Sequence, residues 1–272
     1  MKYLTIFIFF LTTLFILTGC PFPEENSITG CMNPQASNFD SNATIADNCL
    51  CKYDGINLNC GIVSPNTIVI PPVQQQTEVW CWLAVGEMVF KYYGLPTVNP
   101  FGDYQCGIVG AIGYSMNGTC DACNVNCGNC VRPAGTNAMF SYMLTNYPKV
   151  ACKNLFANNK TLNNSFVANY LSASFLINQL NQNKPVIAGI NPGLQFVLPG
   201  NSQHVALIKG YFYDRSNNLI LLVNDPFPYW TKGVDPYIMS GAFSNGDLSY
   251  QIPFTNFVNG LKWNTSWYNL GW

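Results

Sequence analysis

The chain has 272 residues, of which only 9% are charged, and its formal net charge is -1 at pH 7. A nucleic-acid-binding surface needs a concentration of Lys and Arg, so this balance excludes nucleic acid as an expected partner. The length is sufficient for one sizeable domain and a small accessory module.

The N-terminal residues have the pattern of an export signal. Residues 3–19 carry no charge and are followed by Cys20. An uncleaved membrane anchor is the alternative, but this run is at the short end for a span. The tetrapeptide LTGC at 17–20 resembles a bacterial lipobox, which implies an acylated Cys20. We predict a signal peptide at 1–19, a tether at 20–29 and a cell-envelope protein held in a bacterial membrane by lipid, facing the periplasm or exterior.

Residues 30–64 form a small, polar segment bounded by cysteines. Such a segment is too short to build a core without a covalent staple. It resembles short modules beside the anchors of secreted Bacteroidetes proteins, through Gly30, Cys31, Asn33, Pro34, Ala36, Asn38, Phe39, Asp40, Ala43 and Asp47. The resemblance leaves two candidate partners for Cys31, namely Cys49 and Cys51. We therefore predict a disulfide-stapled N-terminal module.

Two acidic residues of this module raise the question of a metal. Asp40, Asp47 and neighbouring Asn oxygens suit a hard cation such as calcium. Asp and Asn are also ordinary turn residues, and a turn is the preferred interpretation.

The cysteine count fits an exported, disulfide-bonded protein. If Cys20 carries lipid and Cys81 stays a thiol, an even ten of the twelve cysteines remain. Two CxxC pairs within 117–130 suggest zinc, but they lie closer together than in usual zinc frameworks. We predict disulfides from this insert to Cys106 or Cys152, and no metal or cofactor.

The segment from Trp82 to Tyr93 has apolar residues close to a 3.6 period and ends at Gly94-Leu95-Pro96, which predicts a helix. Cys81 then lies at the N-terminus of that helix. The helix dipole and the unpaired backbone N–H groups favour a thiolate there, which is the reactive form.

The single histidine of the chain is His204. Alternating and apolar residues predict strands at 205–213 and 218–223, the second of which ends in Asn224-Asp225-Pro226. A hairpin of these strands sets Asp225, or Asn224, near the imidazole, where it would fix the ring tautomer.

The order of these residues resembles that of papain-like cysteine peptidases, closest to the bacterial branch with bacteriocin-leader peptidases and secreted effector proteases. The matching segments are Gln75 with WCW at 80–82, then 176–190, 204–211 and 223–226. The resemblance implies a monomeric peptidase domain at 65–272 that acts on a peptide or protein. It also implies a nucleophile, a base, an orienting acid and an oxyanion donor, respectively Cys81, His204, Asp225 and Gln75. The backbone N–H of Cys81 would be the second oxyanion donor, and spacing alone leaves Gln74 or Gln76 open instead of Gln75.

The expected fold class is α+β, a papain-like fold in which a helical subdomain with the nucleophile packs on an antiparallel β-sheet with the His and Asp. Periodicity predicts a helix at 174–183 and a buried strand at 184–190, whereas 154–169 is interpreted as a loop or insertion. The C-terminal residues 237–272 are expected to complete a sheet or barrel.

Three tryptophans lie close to these residues in sequence. Trp80 and Trp82 would line a substrate groove or pack in the core, and Trp230 would shield the His–Asp bond or simply pack.

Two other functions remain open from the sequence. An amidase or transpeptidase would use the same thiol and imidazole, because these groups do not select the second nucleophile. A surface binding or adhesion protein would keep the fold without the chemistry.

Overall fold

The computed structural model describes residues 28–30, 39–46, 66–113, 135–151, 161–193, 203–214, 216–246 and 248–272. Predictions for Cys20, the cysteines of the N-terminal module, the insert at 117–130 and Cys152 lie outside these residues. Of the cysteines in the described part, Cys106 is disulfide-bonded and Cys81 is a free thiol. No helix in the described ranges is both long and apolar enough to cross a bilayer.

The described strands are β1 Thr29–Gly30, β2 Ile45–Ala46, β3 Asn66–Thr67, β4 Asn163–Val167, β5 Val186–Ile190, β6 His204–Tyr213, β7 Leu219–Asn224, β8 Phe243–Ser244, β9 Ser249–Pro253 and β10 Thr265–Gly271. Most of them belong to one antiparallel sheet, with the order β4-β10-β5-β6-β7-β9-β8 and with β3 paired to the second half of β6. Strand β4 lies at one edge and β8 at the other, so the C-terminal strands complete an open sheet.

The helices in the described ranges are α1 Cys81–Tyr92, α2 Tyr104–Gly113, α3 Asn137–Ala151, α4 Ala173–Asn181, α5 Pro236–Met239 and α6 Phe254–Gly260, with a 3₁₀ helix at Tyr229–Lys232. Helices α1, α2 and α3 pack on one another, and α1 also packs on β6. The structure therefore has a helical part beside an antiparallel sheet, a mixed α and β architecture that agrees with the expected class.

Helix α1 is enclosed by the fold. Its first ten residues, Cys81 to Phe90, are all buried. Apolar side chains on most sides of the helix explain this, because each side has a partner in α2, α3 or β6. The chain leaves the helix through Gly94, whose φ of 70° lies in the left-handed region that glycine accepts most easily.

The pairing of β6 with β7 places the N-terminal end of β6 beside the C-terminal end of β7. In this antiparallel pair Leu207 lies opposite Asn224, so the start of β6 is next to the end of β7. His204 is the first residue of β6, and Asp225 follows β7 directly. A hairpin thus brings together residues that are 21 positions apart in sequence.

The predicted α1, α4, β5, β6 and β7 are confirmed within one or two residues at each end. The prediction of a loop over 154–169 is wrong for its last part, because Asn163 to Val167 form β4 and pair with β10. Helices α2 and α3 were not expected from the sequence.

Strand β1, at the boundary of the predicted tether and N-terminal module, pairs with β2 in a two-stranded parallel sheet. The Asp40 carboxylate accepts a hydrogen bond from the Asn42 N–H at 2.9 Å, as in an Asx turn, which favours the turn interpretation of Asp40. Asp47 lies outside the described residues, and the domain boundaries stay predictions.

Candidate active site

Cys81 is the first residue of α1 and is 8% exposed. The residue before it, Trp80, occupies the N-cap position without a side-chain hydrogen bond to the helix. The N-cap side chain therefore does not occupy the free N–H groups of the first turn of α1. A thiolate or an oxyanion at this position faces the positive end of the helix dipole.

The imidazole of His204 is joined to the carboxylate of Asp225. Its Nε2 lies 2.6 Å from Asp225 Oδ1, and both side chains are fully buried. Nδ1 is buried too, and no described group hydrogen-bonds to it with regular geometry. The Cys81 thiol is close enough to the ring for its charge to raise the pKa of the imidazole. Because Asp225 occupies Nε2, Nδ1 is the ring nitrogen left for the thiol.

The protonated form of His204 is favoured in spite of its burial. Burial by itself lowers the pKa of this imidazole, but the negative charges of Asp225 and Cys81 and hydrogen bonds to both outweigh it. The net result raises the pKa of His204 from 6.5 to about 10. The ring is thus expected to be an imidazolium at neutral pH, which supplies a counter-charge for a thiolate.

The Asp225 carboxylate is fixed by more than the imidazole. Its Oδ1 also accepts a hydrogen bond from the Phe227 N–H at 2.8 Å, and its Oδ2 lies 3.5 Å from the Tyr229 hydroxyl. The rings of Phe227 and Tyr229 both pack edge-on near His204, with ring centroids 6.2 Å from the imidazole centroid. These two aromatic residues, which we did not single out in the sequence, enclose the His–Asp pair.

Asn224 was the alternative to Asp225, and the structure gives it a different position. Its amide donates to the Ile70 carbonyl at 2.7 Å, and its oxygen accepts from the Ser249 hydroxyl at 2.7 Å. Asn224 therefore connects β7 to β9 and to the chain after β3, while Asp225 is the residue beside the imidazole.

The three consecutive glutamines differ in their surroundings. Gln75 is buried, whereas Gln74 and Gln76 are exposed. The Gln75 side-chain amide donates to the Thr77 carbonyl at 2.7 Å, and its backbone N–H donates to the Pro226 carbonyl at 3.0 Å. Gln75 is thus the inward-facing glutamine of the three, held against the residue that follows Asp225.

The tryptophans fall into two groups. Trp80 and Trp82 are buried, and Trp82 lines a small cavity of about 20 Å³ beside Cys81 together with Phe140, Trp267 and other residues. A Cβ at Gly135 would approach the Trp82 ring to 2.7 Å, so Gly135 lies directly on the indole. Trp230 is 57% exposed, and Phe227 and Tyr229, rather than Trp230, pack against His204.

A larger cleft of about 810 Å³ lies elsewhere, between residues 67–73 and the C-terminal end of α1. Neither Cys81 nor His204 lines it. Of the two cavities, the smaller one is therefore the one that Cys81 lines.

The helical part, the antiparallel sheet and a free thiol beside a buried His–Asp pair have the arrangement that a thiol-dependent hydrolase needs. A model of the Peptidase_C39 like family matches residues 67–252, which is more than half of the chain. The chain belongs to this family, and the membership identifies it as a cysteine peptidase. Among the curated proteins, none matches the chain significantly.

Proposed function

We propose that the protein is an exported, lipid-anchored peptidase that hydrolyses peptide bonds with Cys81 as nucleophile, His204 as acid and base, and Asp225 as the residue that orients the imidazole. The observation that carries the proposal is the buried His204 ring, which bonds Asp225 through one nitrogen and leaves the other to the free thiol. The His204 pKa of about 10 agrees with an imidazolium beside a thiolate.

In the first half of the reaction, the Cys81 sulfur attacks the carbonyl carbon of the scissile bond and a C–S bond forms. The carbonyl oxygen becomes an oxyanion, which the Cys81 backbone N–H and the Gln75 side-chain amide would stabilise. One proton of that amide is used by the Thr77 carbonyl, and the second remains for the oxyanion. His204 gives its Nδ1 proton to the leaving nitrogen as the C–N bond breaks.

The second half releases the acyl group. Neutral His204 takes a proton from water, whose oxygen attacks the thioester carbon, and the C–S bond breaks to restore the thiolate and the imidazolium. Asp225 keeps Nε2 protonated throughout, which holds the ring in the orientation that both transfers require.

The bacterial branch of bacteriocin-leader-peptidase-like and effector proteases is our proposed placement within the family. It rests on the quoted motifs, as do the lipid on Cys20 and the envelope location.

The direct test is cleavage of a mixed peptide library, with products identified by mass spectrometry. We expect hydrolysed peptides from the wild type and none from Cys81→Ala at equal fold stability. Gln75→Ala should keep a reactive thiol but lose roughly 10²–10³-fold in turnover, as expected for loss of one oxyanion donor. Cleavage that survives in Cys81→Ala rejects the proposal.

A further inference from the structure

The structure holds the glutamine segment in place with one buried side chain that the proposed chemistry does not use. This residue is Gln105 on α2, which is 1% exposed. Its amide nitrogen donates to the Gln74 carbonyl at 2.9 Å, and its amide oxygen accepts from the Gln76 N–H at 3.1 Å. One amide group therefore pairs with the main chain on both sides of Gln75.

The orientation of this amide is fixed by a second buried group. The Gln105 nitrogen also donates to Glu87 Oε2 at 3.2 Å, and Glu87 Oε1 forms an ion pair with Lys91 at 2.6 Å. Glu87 and Lys91 both belong to α1, the helix that begins at Cys81. The amide thus connects α1 to the segment that holds Gln75.

Helix α2 is itself fixed to the same segment. The Asp103 carboxylate accepts from the Cys106 N–H at 3.0 Å at the start of α2 and also accepts from the Gln76 side-chain amide, at 3.1 and 3.0 Å. Cys106 is disulfide-bonded. The position from which Gln105 reaches residues 74–76 is therefore constrained by the first turn of α2.

Gln105 has no proton to offer a substrate. A glutamine amide has two N–H protons, and in Gln105 these are used by the Gln74 carbonyl and by Glu87. Gln75 has one bonded proton, to the Thr77 carbonyl, and one left over. The division of roles follows from this count: Gln75 can act on an oxyanion, and Gln105 can only act through Gln75.

We infer that Gln105 is a positioning residue for the oxyanion hole: it fixes the main chain around Gln75 relative to α1, and so relative to Cys81. This inference rests on the proposed function. A group that stabilises an oxyanion is effective only when it is held in place before the charge develops, and displacement by about 1 Å is expected to cost as much as 10²-fold in rate.

The test separates the thiol from the oxyanion hole with two probes. Iodoacetamide alkylation of Cys81 depends on the thiol alone, whereas the p-nitrophenol burst from p-nitrophenyl acetate also depends on oxyanion stabilisation. In Gln105→Met we expect an unchanged alkylation rate and a burst rate lowered roughly 10- to 100-fold. In the Gln75→Ala background the same substitution should produce no further loss, because its effect passes through Gln75.

A matched control is Gln179→Leu, which removes a buried glutamine of α4 whose side chain accepts from the Asn269 N–H at 2.8 Å, remote from the glutamine segment. It should lower stability and leave the burst rate unchanged. If Gln105→Met does not fold, Gln105→Asn is used, since it keeps a neutral amide beside Glu87 but is one CH₂ too short to reach Gln74 and Gln76 in the same way.

Equal losses in the wild-type and Gln75→Ala backgrounds, or an unchanged burst in a folded Gln105 variant, overturn the inference. Absence of a burst in the wild type, or a burst that survives in Cys81→Ala, refutes the proposed function and this inference with it. The wild type and Cys81→Ala are measured first, so failure of the proposed function is seen before any Gln105 variant is compared.

Discussion

At the scale of single residues, the burial of His204 determines what the site can do. A charged imidazole inside a protein is costly unless anions compensate it, and here Asp225 lies 2.6 Å away on one side with the Cys81 thiol as the remaining partner. Each of the three groups therefore supports the charge state that the others need. Reactivity of the thiol is the property that reports on this arrangement most directly.

We predict that iodoacetamide labels Cys81 almost as fast at pH 6 as at pH 8. Alkylation follows the thiolate fraction, and the raised pKa of His204, about 10, keeps the imidazolium counter-charge across this range. Labelling is measured by mass spectrometry of tryptic peptides.

The matched variant is His204→Ala, in which labelling at pH 6 should fall well below labelling at pH 8 because the counter-charge is gone. Labels spread over several cysteines of the folded wild type, or equal pH profiles for wild type and variant, would contradict the thiolate–imidazolium pair.

At the scale of elements, two adjacent residues at the end of β7 serve different purposes. Asn224 satisfies the Ile70 carbonyl and the Ser249 hydroxyl, whereas Asp225 turns to His204. The strand alternation that separates neighbouring side chains explains how both roles fit in consecutive positions.

We predict that substitution of Asn224 mainly lowers stability, whereas substitution of Asp225 mainly lowers turnover. Asn224→Ala leaves a buried carbonyl and a buried hydroxyl without their partner, so it should cost about 1–3 kcal/mol of unfolding free energy per unsatisfied group. Asp225→Ala should lower the turnover number by at least roughly 10²-fold, since no acceptor then holds the Nε2 proton and fixes the ring tautomer. Urea denaturation and cleavage kinetics on both variants check this, and the assignment is wrong if Asn224→Ala has the larger kinetic effect.

The sequence was sufficient to predict the elements with clear periodicity, and the roles it suggests for Cys81, His204 and Asp225 stay predictions. Helix α1 and strands β5 to β7 have apolar patterns that local rules recognise. Helix α2 is missed because its sequence YQCGIVGAIG is apolar on all sides, and α3 because Pro148 lies inside it. Strand β4, NNSFV, has the composition of a loop and is a strand because β10 pairs with it.

What the sequence could not provide is contact between distant segments. The amide of Gln105 reaches Gln74 over 31 positions, and no local pattern marks it. The same is true of Phe227 and Tyr229, whose proximity to His204 depends on the turn that follows Asp225.

At the scale of the whole molecule, the lipid anchor is a separate prediction. If Cys20 is acylated, Cys20→Ser should convert a membrane-bound protein into an unprocessed precursor or a released form. Cell fractionation and intact-mass measurement distinguish these forms, and Cys81→Ala should remain membrane-bound as the control. A Cys20→Ser protein that is processed and fractionates like the wild type would show that the lipobox prediction is wrong.

The stability of the whole molecule should also depend on pH, through the buried His204 and the partly buried Lys209, whose pKa values shift in opposite directions. Asp225 helps to raise the pKa of His204 above 6.5, whereas burial lowers the pKa of Lys209 from 10.5 to about 8. Stabilisation by His204 is complete below pH 6.5 and is lost as pH rises through its folded-state value. The charge of Lys209 has its full cost below about pH 8, and this cost is relieved between about pH 8 and 10.5.

The measurement is urea denaturation from pH 6 to 10 in Cys81→Ala, in which Asp225 is the remaining anion that raises the pKa of His204. Unfolding free energy should fall between pH 6.5 and about pH 8, where Lys209 does not yet offset it, with a slope of at most about 1.4 kcal/mol per pH unit. Adding Asp225→Asn should flatten this fall, because the acid that keeps the proton on His204 is gone. Adding Lys209→Met should raise the unfolding free energy at pH 7 by roughly 1–3 kcal/mol. It should also remove the rise in unfolding free energy that Lys209 contributes above about pH 8. Stability that rises from pH 6.5 to 8 and does not respond to Asp225→Asn would mean that the imidazole is buried without its proton, which is incompatible with the charge state on which the proposed catalysis depends.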